Sequence, residues 1–377
     1  MYFKDQRNEK KVASTHASTH TIQLPETGYL DSISLFLYVK NANPITLATP
    51  NNIHHHITKI EVIGDTDKTL FSLSGEQTLA KAYRKIGALP PFKHVEVDNT
   101  YQDLTLPIFF GRKYKDGKYA LDLAQWDKVE LKVTNDFTTD LLTAASFWQD
   151  TRLCTIEDSV EAHAKFLKQW EYEAEKPAAD GGYVRPKLPS KGLLRSLMIQ
   201  LDPDLTTVTN AVAQDPMSDN YNWKLWFKDR ALTIFDHRPR DLVRIEAERL
   251  GIGHSCLKRK PSTTTYVDHH WAEVLSLAAA ADYTATDKTP PTYGGSRDRY
   301  QEVEAVGTCQ DAQEIIQGIG LFHTFEIPFY LPDDEEANYL NLDQYKPVEI
   351  EWYGYKDDNT HRIILEKPIG QGPAEYA

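Results

Sequence analysis

The chain has 377 residues, a formal net charge of −13, and 41% hydrophobic, 11% aromatic and 26% charged residues. This composition is typical of a folded protein, and the length predicts two domains. The acidic balance argues against nucleic-acid binding over the whole surface, because affinity for phosphates depends on Lys and Arg. Three scattered cysteines support neither a disulfide framework nor a CxxC zinc site, which indicates a reducing compartment. No signal-peptide pattern or apolar run of about 18 residues occurs, so we expect no standard membrane span.

The N-terminal segment, residues 1–17, shows almost no apolar periodicity. Its basic residues are Lys4, Arg7, Lys10 and Lys11. This pattern predicts an exposed basic arm. The plainer interpretation is an unstructured terminus without a binding role.

A strand–turn–strand stretch at residues 24–37 recurs at residues 188–201, so the offset in residue number is 188 − 24 = 164. Leu, Pro, Gly, Leu and Ser stand at the same relative places in both copies, and an apolar residue follows at every second position. This alternation predicts strands, and the Pro and Gly residues predict a turn. The chain therefore contains a duplicated module.

The elements that follow keep the same offset. Runs at residues 56–63 and 69–73 predict two strands, and a helix with one apolar face ends at Gly87. At the offset of 164, Val62 corresponds to Trp226, and the helix corresponds to residues 241–251. We expect this correspondence to hold without a gap.

A closing block ends each copy. Residues 106–110 and 121–131 are echoed by residues 327–331 and 340–350, where the offset is 340 − 121 = 219. Because the offset rises from 164 to 219, the second copy has gained 55 residues, and the gain lies within residues 252–320.

The repeated pattern predicts an all-β fold. Each copy has seven or eight short strands, one helix and Pro/Gly-rich turns, which is typical of antiparallel sandwiches and not of βαβ units. We predict two tandem eight-stranded jelly-roll sandwiches, each with one short helix, and a long insertion in the second. The predicted boundaries are an arm at 1–17, a first jelly roll at 18–160, a linker with the first strand of the second module at 161–187, a second jelly roll at 188–369 and a tail at 370–377.

Two alternative functions are open at this stage. His54, His56, Glu61 and His94 resemble the metal motifs of the cupins, which suggests a bicupin-like metal-dependent oxygenase. Against this, the flanking glycines of the cupin motif are missing, and loop histidines before a strand are the ordinary interpretation. Seven Trp and twenty Tyr suggest a tandem carbohydrate-binding or glycosidase-type sandwich, although core packing accounts for most aromatic residues.

These sequence segments, in their order and their duplication, resemble those of a known protein family. Residues 24–37, 60–76, 106–112 and 119–122 are similar to phrases in the double jelly-roll major capsid proteins of the adenovirus and tailless, membrane-containing phage lineage. The resemblance covers nearly the whole chain.

The resemblance implies a structural protein without catalytic residues, metal ligands or cofactors. It implies homotrimers in which six jelly rolls form a pseudo-hexagonal block that tiles an icosahedral shell. The implied partners are other copies of the chain and vertex and minor capsid proteins, without sequence-specific nucleic-acid binding. The implied location is the virion, after synthesis in the host cytoplasm. The insertion at 252–320 would form an outward tower, and the basic arm would face inward, towards an inner membrane.

Overall fold

The computed structural model divides the chain into two compact units. The first comprises Met1–Trp170 and Pro368–Ala377, and the second comprises Glu171–Lys367. The described residues are 2–13, 17–41, 53–87, 90–93, 101–137, 142–157, 163–175, 183–202, 222–250, 254–259, 312–317, 324–330, 333–353 and 360–373.

The first unit is built from strands and one helix of three turns. Its elements are β1 (Tyr2–Ala13), β2 (Thr19–Gln23), β3 (Tyr29–Asn41), β4 (Ile57–Gly64), β5 (Lys68–Leu73), α1 (Gly75–Ile86), β6 (Phe92–Lys93), β7 (Tyr101–Phe109), β8 (Leu121–Asp122), β9 (Val129–Asn135), β10 (Leu142–Glu157) and the start of β11 (Lys165–Glu175), with 3-10 turns at Ile53–His56 and Leu123–Gln125. One sheet has the order β1-β10-β3-β7-β6, with β8 beside β3, and the other has the order β11-β5-β4-β9-β2. The strand pairs with a described register are antiparallel except for β11 and β5, which are parallel.

The core of the first unit follows from the period-two pattern. Ile33, Leu35 and Leu37 alternate along β3 and are fully buried, as are Ile60 and Val62 on β4. Such alternate burial on one face of each sheet is what a two-sheet sandwich requires.

Helix α1 begins and ends where its sequence signals predict. The Ser74 hydroxyl accepts from the backbone N–H of Gln77, and the Gln77 side chain accepts from the backbone N–H of Ser74, forming a capping box. Gly87 ends the helix in the left-handed conformation, with φ of 76°, which glycine adopts at little cost.

The second unit repeats this plan. Its elements are the end of β11, β12 (Tyr183–Val184), β13 (Leu193–Leu194), β14 (Ser196–Asp202), β15 (Trp223–Phe227), β16 (Leu232–His237), α2 (Pro239–Leu250), β17 (His254–Arg259), β18 (Ala312–Gln317), β19 (Thr324–Pro328), β20 (Leu340–Asn341), α3 (Leu342–Tyr345), β21 (Val348–Tyr353) and β22 (Thr360–Gly370), with a 3-10 turn at Glu336–Asn338. One sheet includes the order β19-β14-β22, and another has the order β12-β21-β15-β16. The two sheets face each other, because Trp223 on β15 packs edge-on against Phe325 on β19, with ring centroids 5.6 Å apart.

The strand registers confirm the duplication. Leu30 pairs with Leu121 in the first unit, and Leu194 pairs with Leu340 in the second. These pairs reproduce both offsets found in the sequence, 164 for the opening strand and 219 for the closing block. Helix α2 also begins at an offset of 164 from α1. The all-β prediction, with one such helix in each copy, is confirmed.

The expectation of an ungapped correspondence is wrong at one turn. Val62 pairs with Phe71, and Leu225 pairs with Phe235, so Val62 corresponds to Leu225 and not to Trp226. The turn after β15 is one residue longer than the turn after β4. Both hairpins keep the same β-bulge, which leaves Leu70 in one copy and Ile234 in the other as the extra residue.

The segment predicted as an exposed basic arm contains β1, an outer strand of its sheet. It pairs antiparallel with β10, from Tyr2 opposite Glu157 to Ala13 opposite Trp148. An edge strand needs little apolar periodicity, because only part of it faces a core. For this reason the sequence pattern did not indicate the strand.

The described part of the predicted tail, residues 370–373, contacts the first unit. The side-chain amide of Gln371 donates to the carbonyl oxygens of Ala120 at 2.7 Å and His163 at 3.0 Å, so Gln371 is held by the first unit. The division between the units falls after Trp170, inside the predicted linker at 161–187.

The predicted insertion at 252–320 lies mostly outside the described residues. The exceptions are β17 and β18, which pair antiparallel from His254 opposite Gln317 to Arg259 opposite Ala312. The prediction that the insertion forms an outward tower stays a prediction.

Candidate functional site

The basic residues predicted as a site lie along the edge strand β1. The Lys4 ammonium is 4.0 Å from the Glu157 carboxylate on β10, and the Arg7 guanidinium donates to the Asp150 carboxylate on the same strand. Lys10 and Lys11 fall at a register irregularity between Glu9 and Val12. The structure therefore brings Lys4 and Arg7 against carboxylates of the adjacent strand.

The ion pair of Arg7 has a counterpart with exchanged charges. The first residues of β1 and β11 are separated by nearly the same offset of 164, and at that offset Arg7 corresponds to Glu171. Because Leu365 on β22 occupies the register position that Leu153 holds on β10, Asp150 corresponds to Arg362. Arg362 donates to Glu171 at 3.2 Å. Strand β1 is therefore the counterpart of β11, and a repeat search starting before residue 24 could have found it.

The histidines predicted as metal ligands do not form the expected arrangement. His54 and His56 lie in a 3-10 turn and not on a strand, so residues two apart do not share a face. The His56 Nδ1 lies 2.9 Å from the Asp136 carboxylate, and the Glu61 carboxylate lies 2.7 Å from the Lys59 ammonium. His94 lies outside the described residues. Across the described ranges, no group of three or more His, Cys, Asp and Glu side chains is placed to hold a metal ion.

Replacing His56 with alanine tests whether this histidine is structural. The His56 ring is buried, packs 5.7 Å from the Phe137 ring and contacts Asp136, so we expect the free energy of unfolding to fall by about 1–3 kcal/mol. Added Fe²⁺, Mn²⁺ or Zn²⁺ should leave the melting temperature of both proteins unchanged. A metal-dependent rise in the melting temperature of the wild-type protein alone would instead support the oxygenase hypothesis.

Three of the tryptophans that suggested carbohydrate binding lie in the cores. Trp126, Trp223 and Trp352 are buried, and Trp223 stacks on Trp352 with ring centroids 4.5 Å apart. Sugar stacking requires an accessible ring face. These three side chains therefore cannot form a carbohydrate platform.

A buried ion cluster fixes one end of the second unit. Arg195 donates to both carboxylate oxygens of Asp334, at 3.0 and 2.7 Å, and to Glu366 at 2.9 Å. Its guanidinium also lies 4.1 Å from the centroid of the Tyr330 ring. Although burial disfavours the charge, the carboxylates raise the pKa of Arg195 well above its ordinary value. Burial raises the pKa of Tyr330 to about 12.

The corresponding position in the first unit carries the opposite charge. By the same register, Asp31 corresponds to Arg195, and Cys154 corresponds to Glu366. Asp31 accepts from the backbone N–H groups of Asp116 at 2.9 Å and Lys115 at 3.2 Å. Burial raises the pKa of Asp31 to about 6 and that of the Cys154 thiol to about 12. Both the Arg195 cluster and the Asp31 cluster attach a loop to a strand. The Cys154 thiol stays protonated and is therefore not a nucleophile.

The outer strands of the described sheets present one edge of the sheet backbone. Among the described residues, β16 is an outer strand of its sheet and β1 is an outer strand of another. Beside β16 lies a groove of about 730 Å³, whose lining includes Phe227, Leu232, Ile234 and Tyr345. Exposed strand edges pair readily with other chains. Within the residues that the structure describes, no helix has both the length and the apolar character needed to cross a membrane.

Comparison with known proteins gives matches only at the level of structure. No family model matches the sequence, and no curated protein matches it. The chain is similar to the crystal structure of the MCP of STIV, Sulfolobus Turreted Icosahedral Virus, with a TM-score of 0.60 and 10% identity over 97% of this chain and 96% of that chain. It is similar to the PBCV-1 virus capsid, with a TM-score of 0.58 and 7% identity over 98% and 93% of the two chains. It is also similar to the major capsid protein P2 from Bacteriophage PM2, with a TM-score of 0.52 and 11% identity over 97% of both chains. The chain therefore has the double jelly-roll fold of these viral capsid structures.

Proposed function

We propose that the protein is a viral major capsid protein that assembles as pseudo-hexagonal homotrimers tiling an icosahedral shell. The observation that carries this proposal is the duplicated jelly roll, in which the pairing of Leu30 with Leu121 recurs as the pairing of Leu194 with Leu340. Two similar blocks in one chain allow three identical chains to supply six blocks, so that one gene product can fill a hexagonal outline. The proposed location is the virion, after synthesis in the host cytoplasm, and the proposed role involves no catalysis or cofactor.

The proposed partners are other copies of the chain, together with vertex and minor capsid proteins. An inward or membrane-facing role for Lys4, Arg7, Lys10 and Lys11 stays a prediction. A basic residue near an anionic lipid surface contributes about 1 kcal/mol. For Lys4 and Arg7, such a surface competes with the carboxylates of Glu157 and Asp150.

Native mass measurement and electron microscopy of the purified protein test the proposal. We expect a species of about 129 kDa, three times the chain mass of 43.0 kDa. In projection it should show a hexagonal outline about 7 to 8 nm across. A protein that stays at 43 kDa over the micromolar range, with no trimer in the images, would contradict it.

A further inference from the structure

The pairing of β11 with β5 has no described equivalent at the corresponding strands β1 and β16. In the first unit, β11 covers the outer edge of β5 in parallel, with Gln169 opposite Phe71 and Trp170 opposite Ser72. Strand β1 is the counterpart of β11, and β16 is the counterpart of β5. Among the described residues neither β1 nor β16 has a strand at its outer edge.

Apolar residues of β5 and of its counterpart β16 differ in burial. Leu70 and Ile234 occupy the same bulge position, yet Leu70 is fully buried and Ile234 is 48% exposed. Leu232 at the start of β16 is also exposed. The edge of β16 therefore presents apolar surface at the place where the edge of β5 is covered.

Strand β11 and its counterpart β1 also differ in side-chain burial. Phe166 of β11 is fully buried, whereas its counterpart Tyr2 on β1 is 55% exposed. Leu167 is also buried, and its counterpart Phe3 is only half-buried. The side chains of β1 are thus exposed where those of β11 are covered.

We propose that β1 of one copy of the chain pairs in parallel with the outer edge of β16 of a second copy. The pairing of β11 with β5 sets the register, which places Asp5 opposite Phe235 and Gln6 opposite Asp236. Backbone hydrogen bonds along the two edges supply affinity, and burial of Ile234 and Leu232 adds apolar contact.

This interface is head-to-tail, because each copy donates β1 and accepts at β16. Such interfaces close into rings when the rotation allows it. The inference rests on the proposed function, since it names the contact through which the homotrimer forms. A trimer then contains three β11–β5 pairings within chains and three β1–β16 pairings between chains.

Paired cysteines test the register. With Gln6→Cys and Asp236→Cys in the same full-length chain, mild oxidation should shift the protein from monomer to covalent trimer on a denaturing gel. The expected Cα separation of neighbouring strands, about 5 Å, suits a disulfide. When the two single variants are co-expressed, cross-linking should stop at the covalent dimer, because each mixed ring holds one linkable junction and each uniform ring holds none.

Two controls distinguish this pairing from other contacts. Gln6→Cys alone should not cross-link, whereas a symmetric pairing of two β1 edges would produce a covalent dimer and overturn the proposal. Gln6→Cys with Ser72→Cys should also remain uncross-linked, because β11 already covers that edge. Equal cross-linking in this variant would likewise overturn the proposal.

A matched pair of substitutions provides a second measurement. Ile234→Asp should shift native mass from trimer to monomer, while the monomer keeps its fold because the side chain is 48% exposed. Ile245→Asp, at a residue on α2 with 49% exposure, should leave the trimer intact. A trimer that forms but neither cross-links through residues 6 and 236 nor responds to Ile234→Asp overturns the inference and leaves the proposed function standing. Monomers under every condition overturn both.

Discussion

Replacing Arg195 with methionine should lower the free energy of unfolding by about 3–5 kcal/mol. The guanidinium is the partner of Glu366, which is completely buried, and it also holds Asp334 through two hydrogen bonds. Without it, the fully buried Glu366 carboxylate loses this cationic partner inside the second unit. Denaturant titration followed by circular dichroism measures the loss.

The control for this change is Arg230→Met. Arg230 lies 3.3 Å from Glu349, but its side chain is 40% exposed. A surface pair of this kind contributes about 0–1 kcal/mol. Adding Glu366→Met to Arg195→Met should restore much of the lost stability, because the buried charge is then absent. Equal effects of Arg195→Met and Arg230→Met would contradict this account of the cluster.

Acidification from pH 6.5 to pH 4 should destabilise the wild-type protein relative to its His361→Phe variant by about 3 kcal/mol. Burial lowers the pKa of His361 from 6.5 to about 4 in the folded protein. Between these values the unfolded chain binds the proton and the folded chain does not, so stability falls as the pH falls. Phenylalanine keeps an aromatic ring against Trp223 and Trp352 but cannot titrate.

The measurement is the difference in unfolding free energy between the two proteins as a function of pH. Asp31 acts in the opposite direction, because burial raises its folded pKa to about 6 from 3.8, so its contribution to stability grows as the pH falls between these values. Asp31 is present in both proteins and cancels in the difference. Parallel pH curves for the two proteins would show that His361 is not the titrating group.

The features of the fold that were predictable from sequence are those with an apolar period. Ile33, Leu35 and Leu37 stand at alternate positions, and all are buried. Their repetition at residues 197, 199 and 201 identified the second copy before any register was known. Helix α1 was predictable because Ser74 and Gly87 carry local capping signals.

The sequence was least informative at the edges and at the buried charges. Arg7 contacts Asp150 across 143 residues of chain, and nothing local to β1 marks the partner. Arg195 and Glu366 are likewise far apart in sequence, so a charged residue between apolar neighbours gives no sign of burial. The longer turn after β15 was missed because one additional polar residue does not disturb the pattern of the flanking strands.

The exchanged charges of the two first-strand ion pairs have a consequence for folding fidelity. Two similar modules in one chain risk mutual strand substitution while they fold. If β1 took the place of β11 beside β22, Arg7 would face Arg362, and in the reverse substitution Glu171 would face Asp150. Like charges on neighbouring strands are unfavourable. The Arg7–Asp150 and Glu171–Arg362 pairs thus disfavour exchange of the two strands and favour pairing of each initial strand within its own module.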